Sequence, residues 1–367
     1  MRAISRIAGR KPGAAAAADD GPAAPRSRGA APPRRPAVFT EKGYLNYLRG
    51  LLEAGMPDAA IRYYVESLPD IAASNTNLKE KFNHALFPAR LLERGATAKY
   101  GYHKLLRKFQ SIATHLAGSG PLPPGAFVEL GCGAHDPLTL AACFYLNGHD
   151  PAFGIDIKPP RNELYSALSM YDVLANMHLF PERYCFPSTP VDEFRRRLGH
   201  FDIAAFERGD FREGFAPLAG AINFEAVDIV QSSIVGQSVA LLVSFAVLEH
   251  VSDIDNVCRH LYRILKPGGV VFHFVDLADH RVYRGDKRFN AFSFLQEEQP
   301  PASLNRLRAH QITAAHESAG FAVVKDARDT LPMTEEEHAQ LLPQFRQMRL
   351  EDVSAVKQRL ILRKPRD

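Results

Sequence analysis

Residues 127–134 decide the fold, and they read Phe-Val-Glu-Leu-Gly-Cys-Gly-Ala. An apolar run ends there at Gly131 and Gly133, which are separated by one residue. Because glycine lacks a Cβ atom, this pair can form the tight turn that joins a parallel strand to a helix and lets a ligand lie against the backbone. Asp136 and Pro137 then fit a helix N-cap and a first helical residue. The stretch predicts a strand–turn–helix unit with a ligand-binding turn.

A second acid follows one strand later. Residues 152–157 read Ala-Phe-Gly-Ile-Asp-Ile, which predicts a short buried strand with Asp156 near its carboxyl end. In doubly wound sheets, an acid at this distance past the glycine turn can accept hydrogen bonds from both hydroxyls of a ribose. A solvated Asp at a strand end is the alternative interpretation. The spacing indicates an adenosine-type cofactor and leaves nicotinamide and flavin dinucleotides open.

The charge around the turn argues against a dinucleotide. A dinucleotide fingerprint requires a third glycine where this chain has Asp136, and a carboxylate there would repel a diphosphate. Glu129, just before the turn, adds a second negative charge. These acids, with Asp156 at the ribose, favour a cofactor that carries positive charge, such as S-adenosylmethionine with its sulfonium and ammonium groups. An NAD(P)-dependent oxidoreductase is the disfavoured alternative.

Four motifs follow one another along the chain. They are Val-Glu-Leu-Gly-Cys-Gly at 128–133, Gly-Ile-Asp at 154–156, Leu-Val-Ser-Phe-Ala-Val-Leu-Glu-His-Val at 242–251 and Leu-Lys-Pro-Gly-Gly-Val at 265–270. Their order resembles that of the class I S-adenosylmethionine-dependent methyltransferases, over roughly residue 125 to the C-terminus. The resemblance implies an α/β fold, with a Rossmann-like seven-stranded sheet and helices on both faces. It also implies S-adenosylmethionine as the cofactor.

The resemblance further implies roles for individual residues. In that family the acid before the turn holds the methionine amine, the turn backbone faces the methionine part, and acids after the second and third strands hold the ribose and the adenine amine. The implied cofactor-binding residues are Glu129, Gly131, Cys132, Gly133, Asp156, Ile157, Asp228, Ile229 and Phe245. Cys132 is interpreted as a packing residue rather than a nucleophile, because free cysteine usually packs as a small hydrophobe.

The candidate catalytic residues are Glu249 and His250, which follow the predicted fourth strand. For a hydroxyl acceptor a proton must be removed, and His has a suitable pKa range for that step. The alternative is a local structural pair, since related small-molecule methyltransferases often carry Glu-His at this place.

Candidate substrate-binding residues lie further along the chain. The loop after the fifth strand is polar and contains His280, and Arg306 and Arg308 follow it. The two arginines suit a carboxylate or phosphate on the acceptor. Alternatively, at least one of them stabilises the surface of the following helix. The loop bears a weaker resemblance to methyltransferases of bacterial glycan or secondary-metabolite pathways.

Apolar runs and helix caps predict the remaining elements. Further strands are expected at 224–229, 239–245, 270–277, 320–324 and 358–362, the last two as a closing pair. One helix is expected to begin at Ser252 and to end at 266–269, and Thr334 with Glu337 predicts a capping box. Other helices are expected at 44–52, 59–68, 105–116, 163–179 and 190–197.

Composition divides the chain into three predicted parts. Residues 1–37 are rich in Ala, Pro and Arg and predict a disordered basic tail. Residues 38–120 predict a helical cap, either packed on the sheet edge or closing as a lid, and 121–367 predict the cofactor-binding domain. An insertion at about 159–221 is longer than one crossover helix requires. It is expected to help form the substrate pocket, although its aromatic residues fit an ordinary core equally well.

Bulk composition favours a soluble cytoplasmic enzyme. The 367 residues are 46% hydrophobic, and no run approaches the roughly 18 apolar residues of a membrane span. Four cysteines without a Cys-x-x-Cys pair favour a reducing compartment and predict no metal site. The first residues lack the apolar segment of a secretory signal, and an organelle transit peptide remains an alternative.

Charge is concentrated in the tail. Its first 36 residues carry eight Lys and Arg against Asp19 and Asp20, so the chain's formal charge of +4 less the tail's +6 leaves −2 for the rest. A folded part without global basicity argues against nucleic acid as a partner.

These observations predict an S-adenosylmethionine-dependent methyltransferase that acts on an oxygen of a small-molecule or glycan substrate. A catalytically idle methyltransferase fold that serves as an interaction protein is the alternative of a different class. The residues name neither the acceptor nor the oligomeric state.

Overall fold

The computed structural model describes residues 33–36, 40–54, 56, 59, 63, 102–116, 118, 120–133, 136–160, 163–284, 287–299 and 303–366. Their centre is one seven-stranded sheet. Its strands are β1 Ala126–Leu130, β2 Ala152–Asp156, β3 Ile222–Ala226, β4 Val239–Phe245, β5 Leu265–Asp276, β6 Ala322–Thr330 and β7 Ala355–Arg363. The fold class expected from the sequence is confirmed.

The strand order β3-β2-β1-β4-β5-β7-β6 places the reversal of direction at β1. From β1 the chain runs outward through β2 and β3, then returns to pair β4 on the other side of β1. The first five strands are parallel, and β7 is antiparallel to both β5 and β6. In open α/β sheets the ligand crevice forms at the carboxyl ends of the strands where the order reverses. Here that point is the end of β1.

The described helices are as follows: α1 Glu41–Glu53, α2 Tyr102–Leu116, α3 Thr139–Leu146, α4 Glu163–Leu179, α5 Val191–Leu198, α6 Ile203–Arg208, α7 Phe211–Phe215, α8 Ile254–Ile264, α9 Ala309–Ser318, α10 Glu335–Gln340, α11 Pro343–Arg346 and α12 Leu350–Val353. In the part of the chain that the structure covers, no helix is long and apolar enough to cross a membrane.

The sheet separates two apolar cores, because successive residues of a strand point to opposite faces. Phe127 of β1 lies in a core with α2, α3 and the helices of the insertion. Val128, the next residue, lies in the other core, which includes side chains of α8 and α9. Helices therefore cover both faces of the sheet, as the resemblance implied.

The insertion forms four helices, α4 to α7, and its aromatic residues are core. All eight residues of α3 are buried, and α4 and α5 pack beside this helix in the same core. Four of the buried aromatic residues of the insertion contact one another at ring-centroid distances of 5.0 to 6.5 Å; these are Phe201, Phe206, Phe211 and Phe215. Of the two interpretations of these side chains, the structure supports ordinary core.

Several predicted boundaries were wrong by a few residues. Asp136 does not cap α3, which begins three residues later at Thr139. Asp253, rather than Ser252, caps α8, because its side chain accepts a hydrogen bond from the backbone of Asn256 at 3.1 Å. This helix ends at Ile264, because residues 265–269 already extend into β5. β6 and β7 are both longer than predicted, since each pairs along nine residues.

Other predicted elements are confirmed. β4 spans the predicted residues 239–245 and α4 the predicted 163–179. The capping box is present: the Thr334 side chain accepts from the backbone of Glu337, whose carboxylate accepts from the backbone of Thr334.

In the N-terminal part, helices α1 and α2 are present where they were expected. The helix predicted at 59–68 lies largely outside the described residues. Residues 33–36 lie near α1, because a Cβ atom at Gly50 would be 2.8 Å from Pro33. α2 buries Leu106, Phe109 and Ile112 in the first core. This helix is therefore packed on the domain.

Candidate functional site

The turn after β1 has the backbone conformation that its two glycines permit. Gly131 has φ +70°, and a Cβ atom there would lie 2.2 Å from the Val247 side chain. Gly133 has φ +85°, and among the described residues no atom beyond its chain neighbours would lie within 4 Å of a Cβ atom there. The first glycine is thus required by packing against the loop after β4. The second leaves open space beside the backbone, which suits the approach of a ligand.

Asp156 is fixed at the end of β2 by two backbone amides. Its Oδ2 accepts from Gly133 at 2.8 Å, and its Oδ1 accepts from Lys158 at 2.9 Å. The carboxylate therefore joins the second strand to the glycine turn. The next side chain, Ile157, is 70% exposed although it is apolar. An exposed apolar residue beside this acid suits the nucleoside part of a cofactor, and its contact with one stays a prediction.

Glu129 lies almost fully buried at the end of β1, with 2% of the residue exposed. Lys108 of α2 places its Nζ 2.7 Å from Glu129 Oε1. The same Nζ lies 4.2 Å from the centroid of the Phe245 ring. Burial raises the pKa of the Glu129 carboxyl, and the Lys108 ammonium opposes that rise. Glu129 thus binds a cationic nitrogen in this structure, and the Phe245 ring contacts the same nitrogen.

Lys108 is a site residue that the sequence analysis missed. It belongs to no motif, and along the chain it is one cation on a helix with an apolar stripe. The only signal available was indirect, because a buried acid such as Glu129 requires a positive partner.

Asp136, beside the turn, is 8% exposed. Burial raises the pKa of its carboxyl to about 7, the nearby Ser169 hydroxyl opposes that rise, and the Glu129 carboxylate adds to it. Cys132 is also buried, and burial raises the pKa of its thiol well above the usual value. A buried neutral thiol fits the interpretation of Cys132 as a packing residue.

The predicted adenine-side residues lie just beyond β3. Asp228 is exposed, and its Oδ1 accepts from the backbone of Val230 at 3.0 Å. The side chain of Ile229 is 3% exposed and packs in the second core. The Asp228 side chain is therefore accessible to a ligand, whereas Ile229 is almost entirely buried in this conformation.

The acceptor side of the crevice contains Glu249 and His250 in a short turn after β4. Asn305 holds this turn, because its side-chain amide donates to the carbonyls of Leu248 at 2.7 Å and Val251 at 2.8 Å. The His250 Nδ1 bonds the backbone carbonyl of Ser303. The segment around residue 305 therefore fixes the orientation of both candidate catalytic residues.

Glu249 is 3% exposed, and burial raises the pKa of its carboxyl to about 8. Among the described residues, neither of its carboxylate oxygens has a hydrogen-bond partner by strict geometry, although the amides of residues 249 and 276 lie close enough to lower its pKa somewhat. His280 lies opposite, with its Nε2 3.9 Å from Glu249 Oε1 and 3.9 Å from Asp276 Oδ2. The structure thus brings together three of the predicted site residues.

Arg308 is placed elsewhere, which corrects the prediction that it binds the acceptor. Its side chain is fully buried, and its guanidinium donates to the carbonyls of Leu277, Val353 and Ala355. It joins the residue after β5, the end of α12 and the start of β7 to the segment before α9. A buried guanidinium finds its hydrogen-bond acceptors inside the protein. The sequence left open that one of the two arginines stabilises the fold instead of binding the acceptor. Arg308 has such a role, although it stabilises the interior rather than a helix surface.

Arg306 also bonds backbone carbonyls. It donates to Glu297 at 2.7 Å and to Phe294 at 3.4 Å. Unlike Arg308 it is only half-buried, so a contact between Arg306 and an acceptor stays a prediction.

The residues around the turn fit S-adenosylmethionine. Glu129 would hold the ammonium, the backbone at Gly133 would face the methionine part, and Asp156 would hold the ribose. The fit rests on two features of the structure. A buried carboxylate already contacts a cationic nitrogen, and open space lies beside Gly133.

Comparison with known proteins agrees with this fit. Residues 99–326, more than half of the chain, match a family model described as a methyltransferase domain. No curated protein is significantly similar to this chain. A match of this extent to a methyltransferase family also decides against the oxidoreductase alternative.

Solved structures with a similar chain trace include the [4+2]-cyclase SpnF, at 17% identity and a TM-score of 0.37 over 70% of this chain and 80% of that one. An S-adenosylmethionine-dependent methyltransferase from Mesorhizobium loti is 14% identical, with a TM-score of 0.34 over 70% and 99%. Phosphoethanolamine N-methyltransferase 2 from Haemonchus contortus, in complex with S-adenosylmethionine, is 14% identical, with a TM-score of 0.35 over 71% and 52%. These likenesses are too distant to indicate a substrate.

The family match, the sheet order and the acid-lined turn lead to one conclusion. This chain belongs to the family of class I S-adenosylmethionine-dependent methyltransferases.

Proposed function

We propose that this methyltransferase transfers a methyl group from S-adenosylmethionine to a hydroxyl oxygen of a small molecule or glycan. The observation that carries the proposal is the group of a carboxylate and two imidazoles at the carboxyl ends of β4 and β5. Ligand atoms of Glu249, His250 and His280 lie within 4.8 Å of one another. A hydroxyl group can donate to such acceptors, and it must lose its proton during transfer.

When bound, S-adenosylmethionine supplies a methyl carbon activated by the sulfonium: the carbon–sulfur bond breaks, a carbon–oxygen bond forms, the hydroxyl proton is removed and S-adenosylhomocysteine leaves. The residues of the chain position the reactants and exclude water. Glu129 and Asp156 would hold the methionine amine and the ribose of the cofactor. Glu249 and His250 would lie on the acceptor side and assist the loss of the hydroxyl proton. His280 and Arg306 would contact the acceptor.

The proposal is tested with tritium-labelled S-adenosylmethionine and a panel of sugars, phenols and amines. We expect label to enter hydroxylated compounds, and product NMR to place the new methyl group on oxygen. Methylation restricted to amines would contradict an oxygen acceptor while leaving the family assignment intact.

One observation favours the idle alternative. The Lys108 ammonium contacts Glu129 at 2.7 Å, the same acid that is proposed to hold the cofactor amine. In a catalytically idle protein this ion pair would always occupy Glu129, so that the cofactor amine could not bind there. Calorimetric titration with S-adenosylmethionine and S-adenosylhomocysteine separates the two functions, because an idle protein of this kind would bind neither compound.

The cellular setting is also proposed rather than derived from the fold. Cysteine usage favours the cytoplasm. The charge of −2 outside the tail favours a partner other than nucleic acid.

A further inference from the structure

We propose that Glu249, His250 and His280 bind a divalent transition-metal cation on the acceptor side of the crevice. This site goes beyond the proposed function. That the cation would also contact the acceptor oxygen rests on the proposed function. The sequence analysis predicted no metal because it considered cysteine ligands, whereas this group consists of one carboxylate and two imidazoles.

The first support is the convergence of three side chains that can bind a metal. One ligand atom from each residue lies within 4.8 Å of the other two. His280 Nε2 and Glu249 Oε1 are 3.9 Å apart, and the rings of His250 and His280 have centroids 5.1 Å apart at an interplanar angle of 71°. Atoms that share a cation at about 2.0–2.2 Å lie roughly 3 Å from one another. Side-chain movements of about 1 Å would therefore close the site.

The second and independent support is the state of the Glu249 carboxylate. The residue is 3% exposed, and neither oxygen has a hydrogen-bond partner by strict geometry among the residues that the structure describes. No described Lys or Arg forms an ion pair with it. A buried carboxylate without a compensating partner is strongly unfavourable. A cation between Glu249 and His280 would supply the missing positive charge.

The third support is the orientation of His250. Its Nδ1 bonds the carbonyl of Ser303, so this nitrogen carries the proton and Nε2 presents its lone pair. Histidine ligands of metals usually donate their second ring nitrogen to a carbonyl or carboxylate in this way. The turn itself is held by Asn305, whose amide bonds carbonyls on either side of the pair. Two of the three proposed ligands, Glu249 and His250, are thus held in place by hydrogen bonds to the turn that carries them.

Asp276 completes the surroundings. One of its oxygens lies 3.9 Å from His280 Nε2, and the other accepts from the Tyr283 hydroxyl at 3.0 Å. A second carboxylate close to the same His280 nitrogen increases the negative potential at the site, which favours a cation.

The ligand set selects the class of cation. Two imidazoles with one carboxylate suit Zn²⁺, Mn²⁺ or Fe²⁺, whereas Mg²⁺ and Ca²⁺ prefer oxygen ligands. Three protein ligands leave a coordination position for an acceptor oxygen. A cation there lowers the pKa of a bound hydroxyl. His250 would then act as a ligand, and its lone pair would not serve as the proton acceptor.

The test is calorimetric titration of the full-length, chelator-treated protein with Zn²⁺, repeated with Mn²⁺ and Mg²⁺. We expect one Zn²⁺ or Mn²⁺ per chain and no comparable binding of Mg²⁺. His280→Ala should weaken Zn²⁺ binding by about ten-fold or more, and Glu249→Gln should do the same. Should Glu249→Gln fail to fold, His280→Ala alone decides, since His280 is partly exposed.

The matched control is His310→Ala. His310 Nδ1 lies 3.4 Å from Asp352 Oδ1, so it forms a His–carboxylate contact outside the proposed site. This variant should bind Zn²⁺ like the unmodified chain. Equal Zn²⁺ affinity in the His280→Ala and unmodified proteins, or no stoichiometric binding of Zn²⁺ and Mn²⁺, would overturn the proposal.

Titration of the same proteins with S-adenosylmethionine shows whether a failure concerns the metal site or the proposed methyl transfer. His280→Ala should bind S-adenosylmethionine normally even when it loses Zn²⁺. If the chain binds S-adenosylmethionine and transfers its methyl group but binds neither Zn²⁺ nor Mn²⁺, the metal site is contradicted and the proposed methyl transfer is not.

Discussion

The contact between Glu129 and Lys108 is the most informative feature at the scale of single residues. The amino-acid part of S-adenosylmethionine is a zwitterion, and an acid and a base in contact are complementary to it. Glu129 can take the ammonium while the long Lys108 side chain turns to the carboxylate. The bound ligand would then replace one internal ion pair with two intermolecular ones. In this interpretation the ion pair would serve as a receptor for both charges of the cofactor rather than as an obstacle to it.

Lys108→Met tests this interpretation, since it removes the charge and keeps an unbranched side chain. We expect S-adenosylmethionine to bind about ten-fold more weakly by calorimetry, because a charge-assisted contact is lost. 5′-Methylthioadenosine is the control ligand, as it lacks the amino-acid part and should bind both proteins equally. Tighter binding of S-adenosylmethionine would show instead that Lys108 competes with the cofactor.

Asp156 supports a second prediction for a single residue. Asp156→Ala should weaken S-adenosylmethionine binding by about 1–3 kcal/mol, because the ribose contact and the Gly133 amide both lose their acceptor. Asp253→Ala, which removes a helix cap away from the turn, serves as the calorimetric control. Unchanged affinity in Asp156→Ala would remove this residue from the cofactor site.

At the scale of elements, a chain of hydrogen bonds joins β4, β5 and α9. The Ser244 hydroxyl lies 2.6 Å from His273 Nδ1, the two Nε2 atoms of His273 and His316 are 3.2 Å apart, and His316 Nδ1 bonds the carbonyl of Ile312 at 2.8 Å. Both imidazoles are fully buried. One neutral tautomer of each ring satisfies every bond, whereas an added proton would require the Ser244 hydroxyl to accept from His273 instead of donating to it.

The buried pair of His273 and His316 predicts that the folded chain is less stable to unfolding in weak acid. Burial lowers the pKa of His316 to about 4 and that of His273 well below its usual value. The unfolded chain, with histidine near 6.5, therefore binds more protons than the folded chain between these values, and the free energy of unfolding falls as pH drops through them.

Urea unfolding at pH 7.5 and pH 5.0 measures the effect. His316→Gln should be less stable than the unmodified chain at pH 7.5, yet lose less stability on acidification, because one lowered pKa has been removed. The carboxylates titrate in both proteins, so the difference between them isolates the imidazole. Equal losses would mean that His316 is protonated in the folded chain.

The helices of the insertion give a second prediction at this scale. Phe206 of α6 is fully buried, and its ring contacts Phe201, Phe211 and Phe215. Phe206→Ala should reduce the free energy of unfolding by about 3–5 kcal/mol, because it leaves a cavity in the core beside α3. Leu331→Ala, at a position 46% exposed, should change it little. A small effect at Phe206 would show that the insertion packs loosely.

At the scale of the whole molecule, the crevice exists because five parallel strands end at one edge. Glu129 is in register with Gly154 of β2 and with Val243 of β4. The turns after β1, β2 and β4 therefore meet at this edge, and residues more than 100 positions apart form one site. Lys108 reaches the same edge because α2 packs its apolar face into the first core.

The tail allows one prediction for the whole chain. A shortened chain that begins at Pro33 should keep its melting temperature and its affinity for S-adenosylmethionine, because the composition of the removed residues offers little to a core. Beginning at Pro33 keeps residues 33–36, which lie near α1. Scanning calorimetry with and without cofactor measures both quantities, and a large fall in melting temperature would mean that the removed residues pack.

The sequence by itself determined where the central strands lie and which acids stand at their carboxyl ends. Apolar runs located β1, β2 and β4, and the turn glycines with Glu129 and Asp156 indicated an adenosine cofactor that carries positive charge. These features are local, because strand periodicity, turn conformation and charge depend on neighbouring residues. Element ends were less certain, as Asp253 in place of Ser252 shows, since two adjacent residues can both cap a helix.

Only the tertiary structure decided which distant side chains meet. It placed Lys108 on Glu129, buried Arg308 among carbonyls after β5 and in β7, and brought His280 to Glu249. No local pattern contains these pairings, because they depend on how helices pack on the sheet and on where a side chain finds partners once water is excluded. Packing also distinguishes two arginines that look alike in sequence, since Arg306 is half-buried and Arg308 is fully buried in the core.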